Sequence, residues 1–100
     1  PGTVRQHYEQ EVEASYRRYS RGELDLRALH LELAQTMREF TGHRLGTDVR
    51  SWTRADAAGH GATQRVGELL ARWEEPAFAA RSDAEAAASV HAAREVIRSW

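Results

Sequence analysis

The chain has 100 residues, of which 41% are hydrophobic and two are proline, and its formal net charge at pH 7 is −1. A chain of this size can bury one hydrophobic core unaided, so we expect a single domain over residues 1–100. The absence of cysteine excludes disulfides and thiolate metal sites. No apolar run approaches the length of about 20 residues that crosses a bilayer, which predicts a cytoplasmic protein without a membrane partner.

All fourteen basic side chains are arginine, and alanine is the commonest residue. We interpret this bias as the codon usage of a GC-rich bacterial genome, so the arginine excess carries little functional meaning. Because the chain begins with Pro1 and ends on Trp100 within a helical pattern, we expect it to be a domain excised from a longer protein.

The first predicted helix covers about residues 3–21. Thr3 and Gln6 have the spacing of a capping box, and Gly22 has the place of the left-handed glycine that ends a helix. Between them, apolar and aromatic side chains recur every three or four residues, which predicts one buried stripe. The stripe consists of Val4, Tyr8, Val12, Tyr16 and Tyr19.

The second predicted helix covers about residues 25–41, with Asp25 as its N-cap and Gly42 at its end. It has the clearest apolar pattern in the chain. Its stripe consists of Leu26, Leu29, Leu33, Met37 and Phe40. Because Leu24 and Leu31 fall off this stripe, we expect the helix to pack on two sides or to lie under another segment.

The following stretch predicts a short helix over about residues 47–57, which carries Val49 and Trp52, and then a break at Gly59-His60-Gly61. Each glycine inside a helix costs about 1 kcal/mol relative to alanine, so two of them around one residue favour a break. We interpret this segment as a connection rather than a catalytic site.

Two further helices are predicted over about residues 62–75 and 82–100, the second beginning with a capping box of Ser82 and Glu85. Their stripes consist of Ala62, Val66, Leu69, Leu70 and Trp73, and of Ala86, Val90, Ala93, Ile97 and Trp100. Alternating strand patterns are absent. The sequence therefore predicts an all-α fold, a compact helical bundle of about four main helices plus a short helix in the 45–58 connection.

A DNA-binding helix-turn-helix is an alternative for the middle of the chain. Ala55, Gly59 and Val66 match its pattern loosely, but His60 occupies a place where a buried aliphatic residue is usual. The near-neutral net charge also argues against a phosphate-binding surface. Nucleic-acid binding is therefore the second hypothesis, and it would use surface arginines. These are Arg17, Arg18, Arg21, Arg50, Arg54 and Arg65.

Enzymatic chemistry has less support in the sequence. The pairs His7–Glu11 and His91–Glu95 are four residues apart, a spacing that is more typical of weak helix-surface contacts than of metal ligands. Arginine followed by histidine at the spacing of some helical ribonucleases occurs no more often than composition predicts. We therefore predict no catalytic, cofactor-binding or metal-ligating residue, and a ribonuclease-like enzyme is the third hypothesis.

The leading hypothesis is a non-catalytic helical module for protein–protein interaction, through self-association or docking, within a larger bacterial protein. The last helix is the predicted contact element, because its small residues permit close approach and it ends on large apolar side chains. The predicted contact residues are Val96, Ile97 and Trp100. The identity of the partner stays open.

Overall fold

The computed structural model describes residues 2–45, 64–74 and 83–99, and every regular element in these ranges is a helix. The helices are α1 (Gly2–Ser20), α2 (Leu26–Leu45), α3 (Gln64–Trp73) and α4 (Asp83–Ser99). The predicted all-α bundle of four main helices is confirmed. The short helix predicted at 47–57 and the break predicted at 59–61 lie outside the described residues.

α1 ends in a hydrogen-bonded turn built on Gly22. The backbone N–H of Gly22 donates to the carbonyl of Tyr19 at 3.0 Å, and the N–H of Glu23 donates to the carbonyl of Arg18 at 2.9 Å. Gly22 has a φ of 79°, a left-handed conformation that only glycine adopts at little cost. The two bonds form a Schellman motif, so the predicted end of the first helix is confirmed.

The start of α2 is capped as the sequence predicts. The Oδ1 atom of Asp25 accepts a hydrogen bond of 2.7 Å from the backbone N–H of Ala28, which satisfies one of the free donors of the first turn. Residues 21–25 are thus a short, hydrogen-bonded connection, and such a connection places α1 and α2 side by side and antiparallel.

The predicted capping position of Thr3 and the predicted end of the second helix at Gly42 are wrong. α1 begins at Gly2, so Thr3 lies inside the first turn rather than at the capping position. α2 continues through Gly42 to Leu45. A glycine inside a helix costs about 1 kcal/mol, which is less than the contribution of burying the surrounding turn. That turn includes Phe40, which is fully buried.

The contacts between helices define an up-down-up-down bundle. Where α4 contacts α1, and where it contacts α3, residue numbers rise along one helix as they fall along the other. α4 therefore runs antiparallel to both α1 and α3. The pairs are Glu9–Arg98 and Glu13–Arg94 between α1 and α4, and Arg65–Ser99 and Arg72–Glu85 between α3 and α4. α2 and α4 therefore run parallel, and they pack against each other across the bundle, so α2 contacts all three other helices.

α2 is buried along two neighbouring lines of side chains, as predicted for a helix that packs on two sides. Leu29 and Leu33 belong to one line, and His30 and Ala34 belong to the other. Leu31, which suggested the second packing side, is instead 46% exposed on the outward side of the helix. None of the described helices is long and apolar enough to cross a membrane.

Leu33 and Leu31 allow a matched test of the core. Leu33→Ala should lower the free energy of unfolding by about 2–5 kcal/mol, because the fully buried side chain leaves a cavity. Leu31→Ala, the same change two residues away on the exposed side, should alter it by less than about 0.5 kcal/mol. Urea denaturation followed by circular dichroism measures both. Equal effects of the two changes would contradict the assignment of the core face.

Candidate functional site

A buried histidine and a buried serine are hydrogen-bonded to each other where α2, α3 and α4 meet. His30 of α2 is 1% exposed and Ser89 of α4 is 5% exposed. The Nε2 atom of His30 and the Oγ atom of Ser89 share a hydrogen bond of 2.9 Å. Trp73 of α3 stacks on the His30 ring, with the ring centroids 6.3 Å apart and the planes inclined by 6°. A single imidazole therefore touches two other helices.

Burial determines the protonation state of His30. Removal of the ring from water lowers its pKa below the ordinary value for histidine, because the charged form loses more hydration than the neutral form. Glu85 raises this pKa and Arg72 lowers it further. Since Arg72 and Glu85 form an ion pair with each other at 3.2 Å, their opposite effects partly cancel, and burial dominates. His30 is therefore neutral at pH 7.

A histidine bonded to a serine is the arrangement that hydrolases use to activate a nucleophile. In that chemistry the serine must reach a substrate and the histidine must be free to take its proton. Here both side chains are almost completely covered, and their shared hydrogen bond joins α2 to α4. The geometry suits a structural role, in which each polar group satisfies the other inside the core.

Sequence reasoning missed this pair. His30 and Ser89 are 59 residues apart, and neither belongs to a predicted apolar stripe. The one available signal is position: His30 directly follows Leu29, so it lies on the edge of the most strongly apolar face in the chain. A polar residue at such a position needs a partner when the helix packs on two sides, but its identity depends on how the helices are arranged.

Of the four described arginines of the nucleic-acid hypothesis, Arg17, Arg18 and Arg21 lie together at the end of α1, and Arg65 lies apart from them. Arg18 pairs with Glu32 at 2.8 Å and with Glu23 at 3.8 Å, and Arg21 pairs with Glu23 at 3.5 Å. Arg17 lies exposed beside them at the end of α1. Carboxylates thus neutralise most of the charge at this end of the bundle.

The other predicted arginines lie elsewhere. Arg65 is at the start of α3, at the opposite end of the bundle, where its Nη1 atom donates to the Ser99 hydroxyl at 3.2 Å. Arg50 and Arg54 lie outside the described residues.

Two of the three predicted contact residues of the last helix are core residues of this chain. Ile97 is 0% exposed and Val96 is 4% exposed. α1 covers this part of α4, and the Nε atom of Arg5 donates to the carbonyl of Ile97 at 3.2 Å. Neither side chain is available to a second protein while the bundle is closed. Trp100 lies outside the described residues.

An open, polar groove runs between α1 and α4. Its lining residues are Gln6, Glu9, Gln10, Glu13, Arg94 and Arg98. Two ion pairs cross it: Glu9 to Arg98 with a distance of 2.5 Å, and Glu13 to Arg94. The two glutamines are exposed one turn apart, and their amides make no hydrogen bond within the part of the chain that the structure describes. The groove thus presents both signs of charge and two amide groups.

The predicted His–Glu pair on α1 is a weak contact. The Nε2 atom of His7 is 3.7 Å from the Oε1 atom of Glu11, and both side chains are more than half exposed. The neighbouring Tyr8 has a raised pKa, first because it is partly buried and then because Glu39 and Glu11 disfavour its anion. Within residues 2–45, 64–74 and 83–99, no three histidine or acidic side chains are arranged to hold a metal ion.

Comparison with known proteins finds no relative: no family model matches the chain, and no curated protein or solved structure is significantly similar to it. Its function is therefore inferred from the buried pair, the arginine positions and the polar groove.

Ser89 and Ser99 provide a matched test of the buried pair. Ser89→Ala should lower the free energy of unfolding by about 1–3 kcal/mol, because it removes a buried hydrogen-bond partner of His30. Ser99→Ala, at an exposed position of the same helix, should change it by less than about 0.5 kcal/mol. Thermal and urea denaturation measure both values. A Ser89→Ala variant as stable as the parent would show that the bond contributes nothing to packing.

Proposed function

We propose that the chain is a non-catalytic helical module that binds another protein, and that the groove between α1 and α4 is its contact surface. The observation that carries this proposal is the composition of the groove, in which unpartnered amides lie beside charges of both signs. Such a surface suits a hydrophilic protein segment that carries both acidic and basic side chains.

The buried histidine supports the non-catalytic part of the proposal. The His30–Ser89 bond uses the polar atoms that a hydrolase would direct at its substrate, and it uses them to hold α2 and α4 together. A catalytic serine needs an open approach for the reacting carbonyl and nearby donors for its oxyanion. Ser89 is 5% exposed, which leaves such a substrate no approach to its hydroxyl in the closed bundle.

The two glutamines support a protein partner in particular. A side-chain amide can donate and accept at once, as a peptide backbone does, so two amides one turn apart can pair with an extended or helical segment. The ion pairs Glu9–Arg98 and Glu13–Arg94 fix opposite charges on opposite walls of the groove. Charges placed in this way select the orientation of a partner more than they add affinity, so we expect weak and reversible binding.

Site-specific photocrosslinking tests the contact surface. A photoreactive amino acid replaces Gln10 in the groove or, as a control, the exposed Gln35 on α2. Irradiation in the source cells should give a discrete crosslinked product from position 10 and none from position 35, because a bound partner covers only the groove. Mass spectrometry of the product identifies the partner, and a product made of two copies of this chain would show self-association.

A charge swap supplies the specificity control. The double change Glu13→Arg with Arg94→Glu keeps an ion pair between α1 and α4 but reverses the order of charges across the groove. It should leave the denaturation midpoint almost unchanged and abolish the crosslink at position 10. A crosslink that survives the swap, or equal crosslinking at positions 10 and 35, would contradict the proposed surface.

The same proposal predicts no specific binding to nucleic acid. Fluorescein-labelled duplex and single-stranded DNA should show no saturable anisotropy change at low salt with micromolar protein, because Arg18 and Arg21 are paired with carboxylates. Arg17→Ala is the informative variant, since this side chain has no ion pair within the described residues. Salt-dependent binding that Arg17→Ala removes would instead favour a nucleic-acid function.

A further inference from the structure

We propose that protonation of His30 in mildly acidic solution weakens the packing of α3 and α4 on α2, and that α3 opens first. The proposal concerns residues other than those that line the groove and does not depend on a partner. Its starting point is geometric: the ring is 1% exposed, it is bonded to Ser89 of α4 and it is stacked on Trp73 of α3. A charge on this ring would be buried at the junction of three helices.

The two described contacts of the ring, with Ser89 and Trp73, do not offset that burial. A protonated Nε2 donates a charge-assisted hydrogen bond to the Ser89 hydroxyl, which is stronger than the bond of the neutral ring, but one neutral hydroxyl replaces only a small part of the hydration that a buried imidazolium loses. The Trp73 ring attracts a cation, but its centroid is 6.3 Å away, at the outer limit of a useful cation–π contact. The loss of hydration therefore decides the balance.

The described charged groups around the ring do not outweigh the effect of burial on the pKa of His30. Glu85 of α4 favours a proton on His30, Arg72 of α3 opposes it, and the two are paired with each other. Glu74 of α3 is paired with Arg38 of α2 at 2.6 Å. On α2 itself, Glu32 accepts hydrogen bonds from Ser15 and Arg18 of α1. These carboxylates are thus engaged in pairs of their own.

The direction of the pH effect follows from these contacts. Burial lowers the pKa of His30 in the folded protein, so the open or unfolded chain binds the proton more readily. The contribution of neutral His30 to stability is complete above about pH 6.5, the ordinary pKa of histidine, and it declines as the pH falls through that value.

α3 is expected to open first because it is the shortest of the described helices and has the fewest contacts with the other described helices. It is a ten-residue helix that packs on α2 and α4. α4 is held to α1 as well, by the pairs Glu9–Arg98 and Glu13–Arg94. The α1–α2 pair carries its own contacts, such as the edge-to-face packing of Tyr8 on Phe40 at 5.4 Å. Loss of the His30 contacts thus affects one side of the bundle.

Hydrogen–deuterium exchange at residue resolution, corrected for the intrinsic pH dependence of exchange, tests the proposal. In the parent, protection of α3 amides should fall by up to about tenfold per pH unit below about pH 6.5, while α1 amides keep theirs. His30→Gln, which cannot be protonated, should show no such fall, and His91→Gln, an exposed histidine on α4, should match the parent. Constant α3 protection in the parent, an unchanged fall in His30→Gln, or an equal loss in α1 would overturn the proposal.

An NMR titration of the parent covers the case in which His30→Gln does not fold. The imidazole of His30 should show a pKa below about 6.5, the ordinary value for histidine, because the ring is buried. A pKa of His30 at or above that value would overturn the proposal.

Discussion

The packing of α2 against the other three helices is the constraint on which the rest of the structure depends. Because α2 and α4 run parallel and meet across the bundle, α2 must be buried along two lines rather than one. Leu29 and Leu33 fill the first line, and the second requires small or satisfied residues such as Ala34 and His30. Close approach across the bundle also explains the alanines and Ser89 on the facing side of α4, where larger side chains would separate the helices.

A polar residue on that second line needs a hydrogen-bond partner, and Ser89 is the partner of His30. A buried imidazole without a partner would destabilise the domain by a large fraction of its stability, whereas a bonded one costs little. The bond also has one geometry, so it favours a single register between α2 and α4, which apolar contacts alone specify less sharply. Burial lowers the pKa of this imidazole, so the group that joins α2 to α4 is neutral in the folded core at pH 7.

Ion pairs between neighbouring helices explain how positive and negative charges are distributed over the surface. Arg18 is paired with Glu32 between α1 and α2, and Arg98 is paired with Glu9 between α1 and α4. Exposed pairs of this kind contribute little to stability, but they distribute the two signs of charge evenly over the described surface. In residues 2–45, 64–74 and 83–99, the arginines of these pairs lie beside carboxylates rather than in a continuous basic stripe.

The sequence alone determined the helices, because the interactions that form them are local. The Schellman turn at Gly22 and the cap at Asp25 involve residues at most five positions apart, and the period of apolar residues identifies the side of each helix that is buried. Only the tertiary structure decided what covers each side. Ile97 was predicted to contact a partner because it is apolar. It is buried in the core instead, because α1 lies against that part of α4. The partner of His30 is set by the meeting of helices that are 59 residues apart in the chain, a distance over which no local pattern acts.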